Sequence, residues 1–367
     1  MADSATSQSA PPARKGFAAL ELDTRLLGMI GAFILIALAF HLASGGRFIT
    51  PRNLFNLTIQ TASVAIMATG MVFIIVDRHI DLSVGSILAT ASAVMAVTQT
   101  EVMPNWLGLG LNHPATAWVA IAVGIITGGA IGAFQGWLVG YLTIPAFIVT
   151  LGGLLVWRNV AWYITSGQTI GPLDSTFQLF GGINGTLGQT GSWILAIAAS
   201  VAAVWALWSA RRNKITHEFH VKPLWAEAAV GAIIVVAIMG FVAIMNAYTI
   251  PSRLLERRFE ARGEVMPEGL TQGYGVPISV VLLIAVAIVM TIIARRTRFG
   301  RYIFATGGNP DAAELSGINT RLLTVKIFTL LGVLCAISAV VASSRLTYHS
   351  NDIGGLDELR VIAAAVI

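Results

Sequence analysis

The chain is poor in charge. Asp, Glu, Lys and Arg make up 11% of its 367 residues, against 56% apolar residues. A soluble domain carries about 25% charged residues. A water-facing globule is therefore excluded, and lipid is the environment that accommodates so much apolar surface. Cysteine is almost absent. The single Cys335 allows no disulfide within the chain and no site of several thiolates, and its place in an apolar run reads as core packing. There is no Gly-x-x-x-x-Gly-Lys-Ser/Thr loop, and no Gly-Lys pair at all, so nothing argues that the chain itself binds ATP. Neither His-Glu-x-x-His nor Gly-x-Ser-x-Gly occurs, and His79 has no second ligand at metal-binding spacing. No catalytic constellation, metal or cofactor is expected.

What is present is a succession of apolar runs. Candidate spans are 27–44, 57–76, 84–99, 117–141, 145–164, 192–210, 225–248, 277–294 and 327–344, and a further apolar start runs from Leu359 to Ile367. The run 84–99 is short for a span of about 20 residues. It either extends back through Asp81 or is re-entrant. The net charge of +5 reports topology rather than nucleic-acid binding, because Lys and Arg collect in cytoplasmic loops. With the N-terminus inside, inside segments hold fourteen Lys and Arg and outside segments seven. The first run is longer than a signal-peptide core and more spans follow, so it reads as an uncleaved span. Residues 1–24 read as a disordered cytoplasmic tail and 25–367 as a transmembrane domain. The segment 252–268, with four Arg and four Glu, reads as a surface helix. The chain stops within an apolar stretch, and a C-terminal part beyond Ile367 is expected.

A polar island, 295–326, separates two of these runs. It opens with Arg295, Arg296, Arg298 and Arg301 and then spells one short capped helix. Asn309 is a ready N-cap, Pro310 suits the first helical position, Asp311 sits at the positive end of the helix dipole, and Gly317 supplies the left-handed terminator. A stiff small-residue helix between two spans is suited to docking onto another protein.

Three more patterns stand out. Gly124, Gly128, Gly132, Gly136 and Gly140 recur every fourth residue of one span. Such a stripe lets another helix approach backbone to backbone, as a sliding surface or as static packing. Ile80-Asp81-Leu82-Ser83-Val84-Gly85-Ser86 lies where a span ends; Asp81 caps the next helix or serves function at membrane depth. Before it, Asp77, Arg78 and His79 are placed to pair among themselves. The stretch 144–153 opens a span at Pro145, with Gly152-Gly153 allowing a bend or close approach. Arg158 then interrupts the apolar run and either snorkels or pairs with an acid.

Four stretches together resemble the membrane-spanning permeases of bacterial ABC-type sugar importers, in the ribose/xylose/galactose branch. They are 70–86, 144–155, 297–318 with Gly307-Gly308-Asn309-Pro310 and Ser316-Gly317-Ile318, and 356–367 with Leu356-Asp357-Glu358-Leu359. The resemblance implies an all-α polytopic helical bundle of about ten spans in the bacterial inner membrane. It implies that Asn309, Pro310, Ala312, Ala313, Glu314, Ser316 and Gly317 form a coupling helix that sits in a groove of a separate ATP-binding cassette subunit. It also implies a periplasmic sugar-binding protein and a second permease copy as partners. The chain departs from the family in its Asp77-Arg78-His79, where small residues are usual, and in Gln135, where Asn is usual. The basic loop 211–222 followed by another span resembles the xylose-type permeases.

The expected function is thus import of a monosaccharide, D-xylose first, with ribose or galactose as alternatives. Sugar hydroxyls leaving water need hydrogen-bonding partners, so the path is expected at helix breaks, lined by Asp81, Ser83, Ser86, Gln135 and Thr150. A gradient-driven secondary transporter is the competing class; it calls for carboxylates near the bilayer midplane.

Overall fold

The computed structural model describes residues 24–219, 221–261 and 263–367, with side chains from residue 27 onward. The tail expected over residues 1–24 lies outside the described residues, except that Thr24 already begins a helix. Fourteen α-helices follow in the described residues: α1 Thr24–Ala43, α2 Pro51–Val76, α3 Val84–Val97, α4 Met103–Leu107, α5 Thr116–Gly140, α6 Ala146–Ile164, α7 Gly188–Thr216, α8 Leu224–Ala247, α9 Ser252–Glu260, α10 Ile278–Arg296, α11 Arg298–Gly308, α12 Pro310–Leu315, α13 Thr320–Leu346 and α14 Asp357–Val366. Seven of them, α2, α5, α6, α7, α8, α10 and α13, are long and apolar enough to cross a membrane. No extended strand is present among the described residues, only isolated bridges.

Proline sets many of the starts. Pro145, Pro223, Pro251 and Pro277 each sit in extended backbone immediately before α6, α8, α9 and α10. The ring fixes φ and its missing N–H costs nothing at a helix entrance. The short run 84–99 does not gain length in the backward direction expected of it. The helix begins at Val84 and does not run back through Asp81; it continues forward instead, through a π-turn at Thr98–Val102 into α4, and ends at Gly108 in the left-handed conformation. The wider turn lets the chain accommodate Pro104 without a break. The surface helix expected over 252–268 forms as α9 over its first half.

The described residues divide into two compact units, one of 24–54 and 188–275, the other of 55–187 and 276–367. In the first, α7 and α8 form a hairpin. It is closed by Arg211, which donates from Nη1 to Glu227 Oε2 at 2.7 Å and to the Lys222 carbonyl at 2.9 Å. In the second, α2, α3, α5 and α13 supply most of the buried apolar residues, among them Met67, Ile74, Leu88, Met95, Phe328 and Leu331. The glycine ladder explains how tightly two of these helices pack. A Cβ at Gly128 or Gly132 would collide with the Gly332 or Phe328 carbonyl; at Gly136 and Gly140 it would fall 2.7 Å from Val325 Cα and 2.6 Å from the Arg321 carbonyl. The pairing order makes α5 and α13 antiparallel. Gly124 faces the Met95 side chain instead. Backbone-to-backbone contact of this kind gathers dispersion contacts where lipid offers no hydrophobic drive.

Candidate functional site

The helix read from residues 309–318 forms as its residues dictate. Asn309 is extended and its side chain accepts from the Ala312 N–H at 3.1 Å. Pro310 follows at the first position and Asp311 lies in the first turn. At the other end Gly317 has φ of +83°, its N–H donates to the Glu314 carbonyl at 2.9 Å, and the Ile318 N–H donates to the Ala313 carbonyl at 3.1 Å. These two bonds are the paired closure of a Schellman motif. Of the seven expected docking residues only Ala313 is buried; Asn309, Ala312, Glu314, Ser316 and Gly317 are exposed. Leu315 is 90% exposed, an apolar side chain held out at the tip of a capped helix.

The basic cluster before it is helical too, which the sequence did not suggest. Thr297 Oγ1 accepts from the Gly300 N–H at 3.2 Å and starts α11. α11 ends against the end of α2. A Cβ at Gly307 would strike the Val76 carbonyl, so only glycine fits there. Arg78 does not pair with Asp77. Its Nε donates to the Gly307 carbonyl at 2.7 Å and its Nη2 to the Gly308 carbonyl at 2.6 Å. Asp77 is buried, with Oδ2 3.7 Å from His79 Nε2 and 3.5 Å from Thr324 Oγ1. Burial raises the Asp77 carboxyl to about 7, the Thr324 bond opposing, and lowers the His79 imidazole. Burial disfavours the charged form of both groups, so the contact does not rest on full opposite charges.

All five expected pathway residues come together. Asp81 Oδ1 accepts from the Ser83 N–H at 2.7 Å and from the Ser83 hydroxyl at 2.6 Å. Ser83 Oγ also lies 2.9 Å from Gln135 Oε1 on α5. One hydroxyl proton serves one acceptor at a time. Gln135 Nε2 has no partner, and turning the amide over would let it donate to Ser83 Oγ while Ser83 donates to Asp81. The Ser86 hydroxyl donates to the carbonyl of Leu154 on α6 at 2.7 Å, and the hydroxyl of Thr150 on α6 donates to the Ile80 carbonyl before α3 at 3.3 Å. Gly153 leaves the room that the Gln135 side chain fills, so what approaches there is a side chain and not the backbone that was expected; Gly152 faces open space. Each of the five is at most 1% exposed. They form a closed polar layer, not an open channel wall.

The sequence did not reveal a second polar layer. After α13 the chain turns at Thr347, in the left-handed conformation, and residues 347–356 run back alongside α3. His349 pairs with Ile170 through two backbone bonds of 2.8 and 3.0 Å, and its Nδ1 lies 2.9 Å from Ser92 Oγ on α3. Gly354 reaches Gly85 so closely that neither has room for a Cβ. Arg158 neither snorkels nor meets an acid. Its Nη1 donates to the carbonyls of Asn351 and Ile353 at 3.1 and 2.6 Å. Carbonyls outside helices need partners where they are shielded from water, and this arginine supplies them for both. The only available signal was an unpaired Arg in one span and a Gly-rich segment distant in the chain.

Two polar cavities border the start of α2 and the end of α13, the ends opposite α11. One, of about 560 Å³, is lined by Asn56, Gln60, Gln178, Asn184 and Arg345. The other, of about 410 Å³, shares Gln60 and Arg345 and adds Asp352, Asp357 and Arg360. Amides, guanidinium groups and carboxylates are the partners that hydroxyl-rich solutes require. None of these residues was expected.

Residues 53–367 match the family described as branched-chain amino acid transport system / permease component. The chain is 33% identical over 359 residues to the xylose transport system permease protein of Escherichia coli K12, covering 98% of this chain and 82% of that protein. It is 29% identical over 345 residues to the ribose import permease protein of the same organism, covering 92% and 75%. It is 27% identical over 345 residues to the galactose/methyl galactoside import permease protein, covering 93% and 77%. No solved structure matches the chain significantly. These relatives are sugar permeases, the branch whose motifs the sequence carries.

Proposed function

Since the chain belongs to the branched-chain amino acid transport system permease family, we propose that it is the membrane-spanning subunit of an ATP-driven importer that carries D-xylose across the bacterial inner membrane. ATP hydrolysis belongs to a separate ATP-binding cassette subunit, and a periplasmic sugar-binding protein delivers the substrate to a pair of permease chains. The N-terminus and α12 face the cytoplasm. The observation that carries this reading is α12 itself: a fully capped helix between two spans, small-residued, exposed, with Leu315 held in water. A short helix held rigid by caps at both ends offers a partner a preorganised surface.

The mechanism follows from the layers. Sugar enters from the side of the Gln60 and Arg345 cavities and meets the closed layer of Asp81, Ser83, Ser86, Gln135 and Thr150. ATP-driven closure of the partner subunits displaces α12 and opens this layer toward the cytoplasm. The two states must lie close enough in energy for partners to bias them.

The test is co-purification from source membranes in mild detergent, comparing the parent chain with Gly317→Arg. Gly317 holds a left-handed φ with open space around it, so Arg there distorts the helix end and obstructs docking without disturbing the core. Recovery of a nucleotide-binding subunit with the parent and its loss with the variant is the expected result. No ATPase with the parent overturns the proposal.

A further inference from the structure

Granted the reading above, we propose that Arg78 is a positioning residue of the transport cycle: its guanidinium ties the end of α11 to the helix break that carries Asp81 and Ser83, so that displacement of α12 reaches the buried polar layer.

Arg78 occupies an unusual place. It closes α2: the Arg78 N–H donates to the Ile75 carbonyl at 3.0 Å and the His79 N–H to the Ile74 carbonyl at 2.9 Å. That is a second Schellman closure, and its left-handed position normally takes glycine. Here it is an arginine with φ of +65°. A side chain in that region costs roughly 1–2 kcal/mol. The cost is offset by what the side chain reaches, two successive carbonyls at the end of α11. Those carbonyls lack partners within their own helix and sit at its negative dipole end, where a cation is favoured. A planar guanidinium can hold both at once.

The tie lies at a junction. Gly308 directly precedes Asn309, the cap of α12. Arg78 is three residues from Asp81 and five from Ser83. Val76, the last residue of α2, rests its carbonyl against Gly307. The docking helix and the polar layer are therefore joined by one backbone contact that only glycine permits and one side chain that holds two carbonyls. The segment between the layers is short and bonded at both ends, so it passes on a displacement instead of absorbing it.

Three variants in the assembled importer, reconstituted with its ATPase and binding protein, test this: Arg78→Gly, Arg78→Gln and Arg78→Lys. Glycine relieves the backbone strain and removes the tie, so it separates a structural brace from a transmitting one. Expected are a parent-like melting temperature and basal ATP hydrolysis for Arg78→Gly, with D-xylose taken up per ATP lowered by about tenfold, within the range of site-to-site coupling. The KM for D-xylose stays unchanged, Arg78→Gln matches glycine in uptake per ATP but melts lower because it keeps the strained φ without the tie, and Arg78→Lys recovers part of the loss. Parent-level uptake per ATP in Arg78→Gly overturns this proposal alone. A parent chain that recruits no ATPase overturns the reading beneath it, and this proposal with it.

Discussion

The α7–α8 hairpin and the α5–α13 pair are both antiparallel helix pairs, and they use opposite means. In α13, 61% of the most apolar window is buried inside the protein; in α7 and α8 the figure is 11% each. α8 turns Ile233 and Val236 outward, and α7 turns Trp205 and Trp208 outward. α5 and α13 put glycine against backbone along their length. Around α3, α5 and α6 the side chains that hold helices together are hydroxyls and amides, Ser83, Ser86, Thr90 and Gln135. Helices that meet lipid need only apolar surface. Helices that carry a polar path must pack through small residues and satisfied polar groups. The two pairs thus differ in how much apolar surface they leave exposed and in what holds their helices together.

The largest break in that comparison comes from adding the same side chain to each pair. Gly132→Leu drives a side chain into the Phe328 backbone, and more than about 3 kcal/mol of destabilisation, with loss of the monodisperse detergent-solubilised protein, is expected. Gly240→Leu in α8 meets open space, and a change within about 0.5 kcal/mol is expected. Similar melting temperatures for the two variants would erase the distinction. Next in size is Arg158→Leu. It strips the Asn351 and Ile353 carbonyls of their donor, at a cost of about 2–3 kcal/mol. Thermal melts should show this, with Arg158→Lys intermediate.

Asp77 sharpens the comparison through pH. Its carboxyl is raised by burial from 3.8 to about 7, so the folded chain binds this proton more tightly than the unfolded chain does. Its contribution to stability is therefore full below pH 3.8 and is lost as pH rises through 7. His79 and Thr324 face this carboxyl, with Arg78 directed away from it. Asp77→Asn should flatten the melting temperature between pH 5 and 8 and exceed the parent at pH 8; an unchanged slope would remove Asp77 as its source. The smallest effect belongs to the hairpin. Arg211→Ala breaks a pair with Glu227 near the end of α7, and partly exposed ion pairs contribute about 0–1 kcal/mol. A loss as large as that at Arg158 would show that the hairpin too is held by polar contacts.

Local rules made part of this legible. Seven of the nine expected apolar runs form helices long and apolar enough to cross a membrane, the runs 27–44 and 84–99 being the two that do not, and α12 followed residue by residue from Asn309, Pro310 and Gly317. That Asp81, Ser83, Ser86, Gln135 and Thr150 would be buried near one another was legible only in part: Asp81, Ser83 and Ser86 share one helix break, whereas Gln135 and Thr150 lie within α5 and α6. The partners were not legible. The glycine ladder announces a close neighbour without saying that it is α13. Arg158 and the carbonyls of Asn351 and Ile353 lie about two hundred residues apart, and only the folded chain joins them. α11 was missed because its arginines interrupt the apolar pattern around the Thr297 cap, and the forward run of α3 because its apolar pattern fades after residue 99 while the helix goes on through a π-turn.

The central claim is that ATP on the α12 side drives sugar inward. D-xylose uptake into proteoliposomes holding the assembled importer tests it most directly, with ATP enclosed and the ion gradients collapsed by ionophore. Uptake that requires ATP and binding protein and is indifferent to the ionophore is the predicted result. Uptake that persists without ATP and vanishes with the gradient would contradict the account and make the chain a secondary transporter.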